Sequence, residues 1–179
     1  YRSTHQKYYR MKVVHSSTYD IIIGEDSLQT IQYSSYSAIA ILVDEHTKMN
    51  CLDIFLKECL INPKLIIEIH SGEEHKNLST CEHIWQKLTT AQFDRNSLFI
   101  NLGGGVIGDM GGFAASCYKR GIDFIQVPTT LLAMVDASVG GKLAIDLENF
   151  KNQIGLFKSP KGVYIFPKFL QTLNQRLSL

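Results

Sequence analysis

The chain has 179 residues, of which 45% are hydrophobic and 20% charged, and its formal net charge is +1 at pH 7. That apolar share is enough for a packed core and excludes an intrinsically disordered chain. The nearly neutral charge favours neither nucleic acid nor a membrane surface, and apolar runs such as 39–43 and 122–127 are too short to span a bilayer.

Residues 1–10 are polar and aperiodic, so we interpret them as an extension ahead of one domain at 11–179. No signal-peptide pattern is recognisable. Four cysteines are present, and none forms a C-x-x-C pair: Cys51, Cys59, Cys81 and Cys117. We therefore expect free thiols in a reducing cytoplasm and no zinc site built from them.

The predicted elements begin with two β-rich runs, at 12–15 and 19–23, whose spacing predicts an antiparallel hairpin. Short apolar runs then alternate with helical stretches. Strands are predicted at 39–43, 65–69, 98–102, 124–127 and 162–166, and helices at 46–60, at 78–92, after the glycines that follow 102, at 129–139 and from 169 onward. This alternation predicts an α/β, Rossmann-like parallel sheet covered by helices on both faces.

The helix at 46–60 is expected to bury one side, formed by Met49, Leu52, Phe55, Leu56 and Leu60. The helix at 78–92 has two candidate N-caps, Asn77 and Ser79. Because ligands of parallel sheets bind at the carboxyl ends of the strands, the loops after Val43, Ile69, Leu102 and Val127 should form one functional rim.

A glycine-rich run, NLGGGVIGD at 101–109, joins the third rim strand to a helix. Glycine lets a phosphate approach the backbone without meeting a Cβ, and the helix N-terminus attracts the anion. The G-x-G-x-x-G spacing alone is weak, because the usual fingerprint follows the first strand and needs an acid about 20 residues later. Asp123 stands at that distance and is not assigned to ribose. Small residues further on predict only close helix–sheet packing: Gly111, Gly112, Ala114 and Ala115.

Two polar clusters follow other rim strands. The run SGEEHK at 71–76 is by default a solvated loop, although its carboxylates suit ribose hydroxyls and its lysine suits phosphate. The run PTTLLAMVDASVGGK at 128–142 presents threonines to the rim and places Asp136 among apolar residues, where we expect a buried acid. With Lys142 and the 151–152 pair close by, this cluster favours a small anionic ligand.

Together, the segments 102–115, 118–133, 135–142, 151–155 and 169–173 resemble 3-dehydroquinate synthases in order and spacing, and the resemblance extends from about residue 12 to the end. It implies an NAD-dependent lyase of the shikimate pathway, which leads to chorismate and the aromatic amino acids. Such an enzyme converts 3-deoxy-D-arabino-heptulosonate 7-phosphate to 3-dehydroquinate and phosphate. It also implies that NAD is regenerated in each turnover and that zinc or cobalt polarises the oxidised hydroxyl.

The resemblance further implies the site residues. Asp44 or Glu45 matches the acid that binds the adenosine ribose, and Glu73 and Lys76 match an acid and a lysine that hold NAD. Gly104, Gly105 and Val106 match positions along the diphosphate, and Asp109 matches a position near the second ribose. The other positions that match cofactor contacts are Thr129, Thr130, Lys142 and Lys151, and, at the adenosine end, Phe169, Leu170 and Thr172. Positions matching substrate contacts are Asp136, Lys142 and Asn152. Arg120 matches a phosphate-binding arginine that the family supplies across a homodimer interface. Leu143 and Phe150 depart from the family pattern in the substrate loop.

The metal ligands of the family, a glutamate and two histidines from a helical C-terminal domain, find no match in this chain. The six histidines are scattered, without the spacing of a ligand set. We therefore expect no metal site here, a chain that stops before that domain, and no activity from it alone. Three alternatives remain open: a related cyclase that makes an aminocyclitol or valiolone precursor, a polyol or iron-type alcohol dehydrogenase, and a stand-alone NAD-binding module.

Overall fold

The computed structural model describes residues 11–173, so the extension predicted at 1–10 and the last six residues of the predicted domain lie outside it. The described strands are β1 (Met11–His15), β2 (Asp20–Gly24), β3 (Ile39–Asp44), β4 (Leu65–Ile69), β5 (Leu98–Gly103), β6 (Asp123–Pro128), β7 (Lys142–Leu147), β8 (Phe150–Phe157) and β9 (Gly162–Ile165). The α-helices are α1 (Glu45–Asn50), α2 (Leu52–Cys59), α3 (Leu78–Thr90) and α4 (Gly105–Cys117).

Seven strands form one sheet in the order β1-β2-β9-β6-β5-β3-β4. Every neighbouring pair is parallel except β1 and β2, which form the antiparallel hairpin expected from the sequence. Both faces of the sheet are covered, since Ile41 and Val43 pack into one core and Ala40 and Leu42 into the other. Alternate residues of a strand point to opposite faces, so a strand buried on both sides is apolar throughout. The predicted α/β parallel sheet is confirmed.

The predicted helix at 46–60 is wrong as a single element. Cys51 leaves the helical path at φ −120°, and the chain forms two short helices, α1 and α2, around it. Leu52 and Phe55 are buried as expected, but Met49 is 80% exposed and Leu60 81% exposed. Leu60 lies beyond the helix in the left-handed conformation, at φ 54°. Of the two N-caps predicted for α3, Asn77 is confirmed, because its side chain caps the helix.

The region after β6 differs most from the prediction. The helix expected at 129–139 is reduced to residues 131–137, of which Ala133–Ala137 form a π-helical turn. Gly140 and Gly141 follow at φ 98° and 67°, which turns the chain into an antiparallel hairpin of β7 and β8 that the sequence did not predict. β7 buries Leu143 and Ile145, whereas β8 is almost entirely exposed and so carries no continuous apolar signal. The helix predicted from 169 is a 3-10 helix, Pro167–Thr172.

Among residues 11–173, no helix is long and apolar enough to cross a membrane.

Substituting Gly111 by alanine tests the close packing of α4 on the sheet. A Cβ there would overlap Asn101 Oδ1 and lie 2.8 Å from Leu42 Cδ2, so we expect Gly111→Ala to destabilise the fold by about 1–3 kcal/mol, despite the better helix propensity of alanine. Urea unfolding measures the change. Gly108→Ala is the matched control, because its Cβ would lie 3.2 Å from Oε1 of Gln126, the end of a flexible side chain. Equal stability of the two variants would contradict the packing argument.

Candidate functional site

The turn between β5 and α4 contains glycines of two kinds. A Cβ on Gly103 would lie 2.5 Å from Ile107 Cγ1, so packing alone explains that glycine. A Cβ on Gly104 would meet Thr130 Cγ2 at 3.4 Å, which is an ordinary contact, and the φ of Gly104 is −78°. Neither protein packing nor backbone conformation therefore requires glycine at 104. The free space instead permits close approach of a ligand to the backbone.

A cavity of about 140 Å³, which we call the glycine cavity, opens beside this glycine turn. It is lined by Asp44, Ile69, His70, Ser71, Gly72, Gly104, Gly105, Val106 and Ile107, so the carboxyl ends of β3, β4 and β5 meet there, as predicted for the rim. No side chain of the described residues caps the N-terminus of α4. The first amides and the positive end of this 13-residue helix can therefore stabilise an anion in the cavity.

The two acids after β3 have different environments. Glu45 accepts hydrogen bonds from the Ser71 amide at 2.9 Å and from Ser71 Oγ at 2.6 Å. The Ser71 hydroxyl and then the backbone amides lower the pKa of Glu45 to about 2, so it stays ionised and holds the β4 loop. Asp44 Oδ1 caps α1 by accepting from the Thr47 amide at 2.7 Å, and Asp44 also lines the glycine cavity. Of the two acids, Asp44 is therefore the one on the cavity wall.

Lys76 is buried where three segments meet: the 71–76 run that carries it, the 101–109 run and the 151–152 pair. Its Nζ donates to Asp109 Oδ2 at 2.6 Å and to Asn152 Oδ1 at 2.8 Å, and it lies 4.0 Å from Glu73 Oε1. Burial is the largest effect on Asp109 and raises its pKa, although the hydrogen bond and charge of Lys76 act in the opposite direction. The structure thus brings together four residues from three separate segments of the sequence.

A second cavity, of about 570 Å³, lies between α4 and the β7–β8 hairpin. Asp109, Asp136, Lys142 and Asn152 all contribute to its wall. The expectation that Asp136 is buried is wrong: its side chain is exposed, because the short segment at 131–137 turns it toward the cavity and away from the core. Lys151 is exposed on β8, with its Nζ 3.8 Å from Glu73 Oε1. A cavity with both acids and cations suits a polar, anionic ligand.

The threonines after β6 lie beside the glycine turn. The Thr129 amide donates to the Gly103 carbonyl at 3.0 Å, and Thr130 Oγ1 accepts from the Ala133 amide at 3.3 Å. The residues expected at the adenosine end are less open. Phe169 is fully buried against Phe166, whereas Leu170 and Thr172 are half-buried, and Thr172 Oγ1 lies 3.5 Å from Cys51 Sγ.

Arg120 is not brought to either cavity. It follows α4, whose 13 residues span roughly 20 Å at about 1.5 Å per residue, so it lies at the opposite edge of the sheet from the glycine turn. Lys119 and Arg120 have positive φ values of 48° and 66°, an uncommon conformation for residues with side chains. Asp123 lies at that same edge, where it accepts from Tyr36 Oη at 2.9 Å, which agrees with leaving it out of ribose binding.

Sequence reasoning missed three residues around the site. Asp146 joins the cluster because its amide donates to the Lys76 carbonyl at 2.8 Å, Ser71 holds Glu45, and His70 lines the glycine cavity. Ser71 stood in the predicted polar run at 71–76 without a role of its own, no motif marked His70, and Asp146 lies on a hairpin that was not predicted. A third cavity, of about 520 Å³, is lined by His70, His75 and His83. Within residues 11–173, however, no three His, Cys, Asp or Glu side chains are grouped to hold a metal ion.

Comparison with known proteins gives one family. The family described as 3-dehydroquinate synthase N-terminal matches residues 66–178. The 3-dehydroquinate synthase of Sulfurimonas denitrificans is 42% identical, over 96% of this chain and 48% of that protein. The enzyme of the same name from Sulfurovum sp. is 47% identical, over 89% of this chain and 44% of that protein. The chain thus spans about half the length of the curated relatives that it matches.

Similar solved structures include two sugar-phosphate cyclases. A 2-deoxy-scyllo-inosose synthase complexed with carbaglucose-6-phosphate, NAD+ and Co2+ has a TM-score of 0.83 and 25% identity, and the match covers 93% of this chain and 47% of that one. A 2-epi-5-epi-valiolone synthase from Streptomyces hygroscopicus with NAD+ and Zn2+ bound has a TM-score of 0.77 and 26% identity, over 94% and 48% of the two chains. An iron-containing alcohol dehydrogenase, 18% identical with a TM-score of 0.68, shares the fold alone.

The Glu45–Ser71 contact predicts a dependence on acid. Because the pKa of Glu45 in the folded chain is about 2, below its ordinary value of 4.5, its contribution to stability is present above pH 4.5 and is lost as the pH falls toward 2. Unfolding midpoints across this range should therefore fall less steeply in Glu45→Gln than in the wild type. Glu82→Gln on α3 controls for removal of an exposed charge. Parallel pH profiles for the wild type and Glu45→Gln would contradict the assignment.

Proposed function

Since this chain belongs to the 3-dehydroquinate synthase family, we propose that it is the NAD-binding portion of an enzyme that converts 3-deoxy-D-arabino-heptulosonate 7-phosphate to 3-dehydroquinate and phosphate. The observation that carries the proposal is the glycine turn at the end of β5, which opens on one cavity and adjoins a second cavity lined by Asp136 and Lys142. The domain is assigned to residues 11–179.

The turn fits the diphosphate of NAD. A side chain at Gly104 would occupy free space beside Thr130 without a clash, so a glycine there leaves room for a phosphate against the backbone. The amides at Gly105 and Val106 begin α4 and are available to phosphate oxygens. When bound, NAD supplies a hydride acceptor that is reduced and reoxidised within one turnover. The residues of this chain hold and orient it.

Two acids and a lysine suit the ribose groups. Asp44, rather than Glu45, is proposed for the adenosine ribose, because Asp44 lines the glycine cavity and Glu45 does not. Asp109 is proposed for the second ribose, with Lys76 held against it at 2.6 Å. Glu73 supports this pair from 4.0 Å. Thr129 and Thr130 complete the cofactor wall, and Leu170 and Thr172, with Phe169 behind them, are assigned to the adenosine end.

The substrate is assigned to the larger cavity. Lys142 provides positive charge for the phosphate or carboxylate of a sugar acid, and the Asn152 amide can bind hydroxyl groups. Lys151, whose Nζ lies 3.8 Å from Glu73, is proposed for the cofactor and phosphate region. Asp136, exposed on the cavity wall, can accept a hydrogen bond from a substrate hydroxyl. Because Asp109 borders this cavity and also contacts Lys76, the cofactor and substrate sides share a wall.

The metal is assigned to a part of the protein outside residues 11–173. Two of the similar solved structures carry Co2+ or Zn2+, and the described part of this chain offers no grouped ligand set. We propose zinc or cobalt bound in the half of the relatives' length that this chain does not span.

We further propose a cytoplasmic enzyme, on the basis of four free cysteines.

A related sugar-phosphate cyclase is the second candidate. The solved cyclases that support it are 25% and 26% identical to this chain, whereas the curated 3-dehydroquinate synthases are 42% and 47% identical, which favours the first proposal. The alcohol dehydrogenase alternative rests on fold alone. A stand-alone NAD-binding module would leave the cavity around Asp136 and Lys142 without a role.

A homodimer is proposed to complete the site. Arg120 is exposed at the far edge of its own sheet, in a left-handed backbone conformation that is uncommon for residues with side chains. An exposed arginine at this place suits the phosphate site of a partner subunit, since it cannot reach the cavity of its own subunit.

Substituting Gly104 tests the cofactor site. In the full-length enzyme, Gly104→Ala should weaken NAD binding by at least about tenfold, or ~1.4 kcal/mol, because the new Cβ occupies the space of the phosphate. Thermal stability should change little, since the nearest Cβ contact is 3.4 Å. Isothermal titration measures NAD binding, and detection of 3-dehydroquinate measures turnover. Ser116→Ala, at the other end of α4, is the control. Wild-type NAD affinity in Gly104→Ala, or no 3-dehydroquinate from the unmodified enzyme, would overturn the proposal.

Mixed oligomers test the proposed role of Arg120. Arg120→Ala and Lys142→Ala should each be inactive as pure dimers. Random mixing should restore about a quarter of wild-type activity, because each mixed dimer then contains one site with both residues intact. The restored fraction of activity is measured as turnover after co-expression of the two variants or after exchange of their subunits. If the mixture remains inactive, the arginine acts within its own subunit or not at all.

A further inference from the structure

Lys76 differs from the lysines around it in its burial. Its side chain is 4% exposed, whereas Lys151, which also faces Glu73, is 72% exposed. Removing an ammonium from water is costly unless its protons are paired. Here Nζ meets Asp109 Oδ2 at 2.6 Å and Asn152 Oδ1 at 2.8 Å, so one cation bridges α4 and the β7–β8 hairpin.

The backbone of Lys76 contacts the same hairpin. Its carbonyl accepts from the Asp146 amide at 2.8 Å, and Asp146 Oδ1 accepts from the Asn152 amide at 2.7 Å. Asn152 has φ 53°, and the hairpin register shifts between Ile145 and Leu147. Bulges of this kind redirect side chains, and asparagine tolerates the left-handed conformation better than most residues. The irregular part of the hairpin is therefore the part that meets Lys76.

Apart from the backbone bond to the Lys76 carbonyl and the exposed pair of Lys151 with Glu73, little else holds this part of the hairpin. β7 is anchored by Leu143 and Ile145 against α4, but β8 is exposed along nearly all its length and, among the described strands, pairs with β7 alone. A segment with so few buried apolar contacts opens easily, so a charge-assisted hydrogen bond at its bend has a large effect on its order.

We infer that Lys76 is a positioning residue that ties the β7–β8 hairpin to Asp109, so that order in the cofactor site and order in the substrate cavity depend on each other. The inference rests on the proposed function for the identity of the cofactor. It adds that Asn152, assigned to the substrate, also sets the affinity for NAD. Loss of the Asn152 acceptor frees the Lys76 ammonium and loosens Asp109, which the ribose needs in place.

Hydrogen exchange of the ligand-free, full-length protein tests the tie without reference to NAD. Lys76→Met should accelerate exchange of the amides at 146–155 about tenfold or more, the effect of a lost hydrogen bond to a charged group. Lys161→Met is the matched control, since Lys161 pairs with Asp123 at 3.5 Å at the opposite sheet edge. If Lys76→Met folds poorly, Asn152→Gly is the second variant. It removes the oxygen that accepts from the Lys76 ammonium, causes no backbone strain, and should accelerate exchange in the same way. Unchanged exchange in Asn152→Gly would overturn the inference.

NAD titration without substrate tests the coupling. Asn152→Gly should weaken NAD binding several-fold, Asn152→Asp should retain it because a carboxylate can still pair with Lys76, and Asn152→Gly should add nothing in the Lys76→Met background. Wild-type affinity in Asn152→Gly, or additive effects of the two substitutions, would overturn the coupling. Failure of the unmodified protein to bind NAD would instead overturn the proposed function and with it the coupling, while the exchange result still decides whether Lys76 ties the hairpin.

Discussion

Helix α4 lies between the main sheet and the β7–β8 hairpin, and the rest of the site depends on how closely it can approach both. Glycine at 111 lets it pack against Asn101 and Leu42 of the sheet, and glycine at 112 makes room for Leu143 of the hairpin and Phe124 of β6. Because interiors are close-packed, an added methyl group on either side would move the helix. The position of α4 in turn fixes the glycine turn at its N-terminus, so the small cavity and the large cavity both border the same helix.

The polar groups of the site form one connected network. Lys76 is buried because Asp109 and Asn152 pair with its ammonium, and Asp109 in turn borders the larger cavity. A buried ion pair of this kind adds little net stability, since desolvation opposes the Coulomb attraction, but it restricts the relative positions of the elements that carry it. Three segments far apart in sequence are thereby held in one arrangement: the loop after β4, the first turns of α4 and the irregular part of the hairpin.

Several predictions from local pattern failed for identifiable physical reasons. The stretch 46–60 has helical periodicity, yet it forms two helices that meet at Cys51, where φ is −120°, and Met49 is exposed. The segment after β6 has helix-forming residues, but Gly140 and Gly141 at positive φ redirect the chain. Asp136 was expected to be buried because its neighbours are apolar. Several of those neighbours are themselves exposed, among them Leu132 and Val135, so the local composition gave a wrong impression of its environment.

Sequence alone determined the parallel sheet, the rim and the special nature of the 101–109 turn, because apolar runs, their spacing and the need for glycine are local properties. It also supplied the residues that are proposed for the site, through their resemblance to a family. Tertiary structure alone decided which of two adjacent acids faces the cavity, since that depends on Ser71, 26 residues from Glu45. It alone joined Lys76 to Asn152, 76 residues away. Contacts over such separations arise from packing, and no local pattern encodes them.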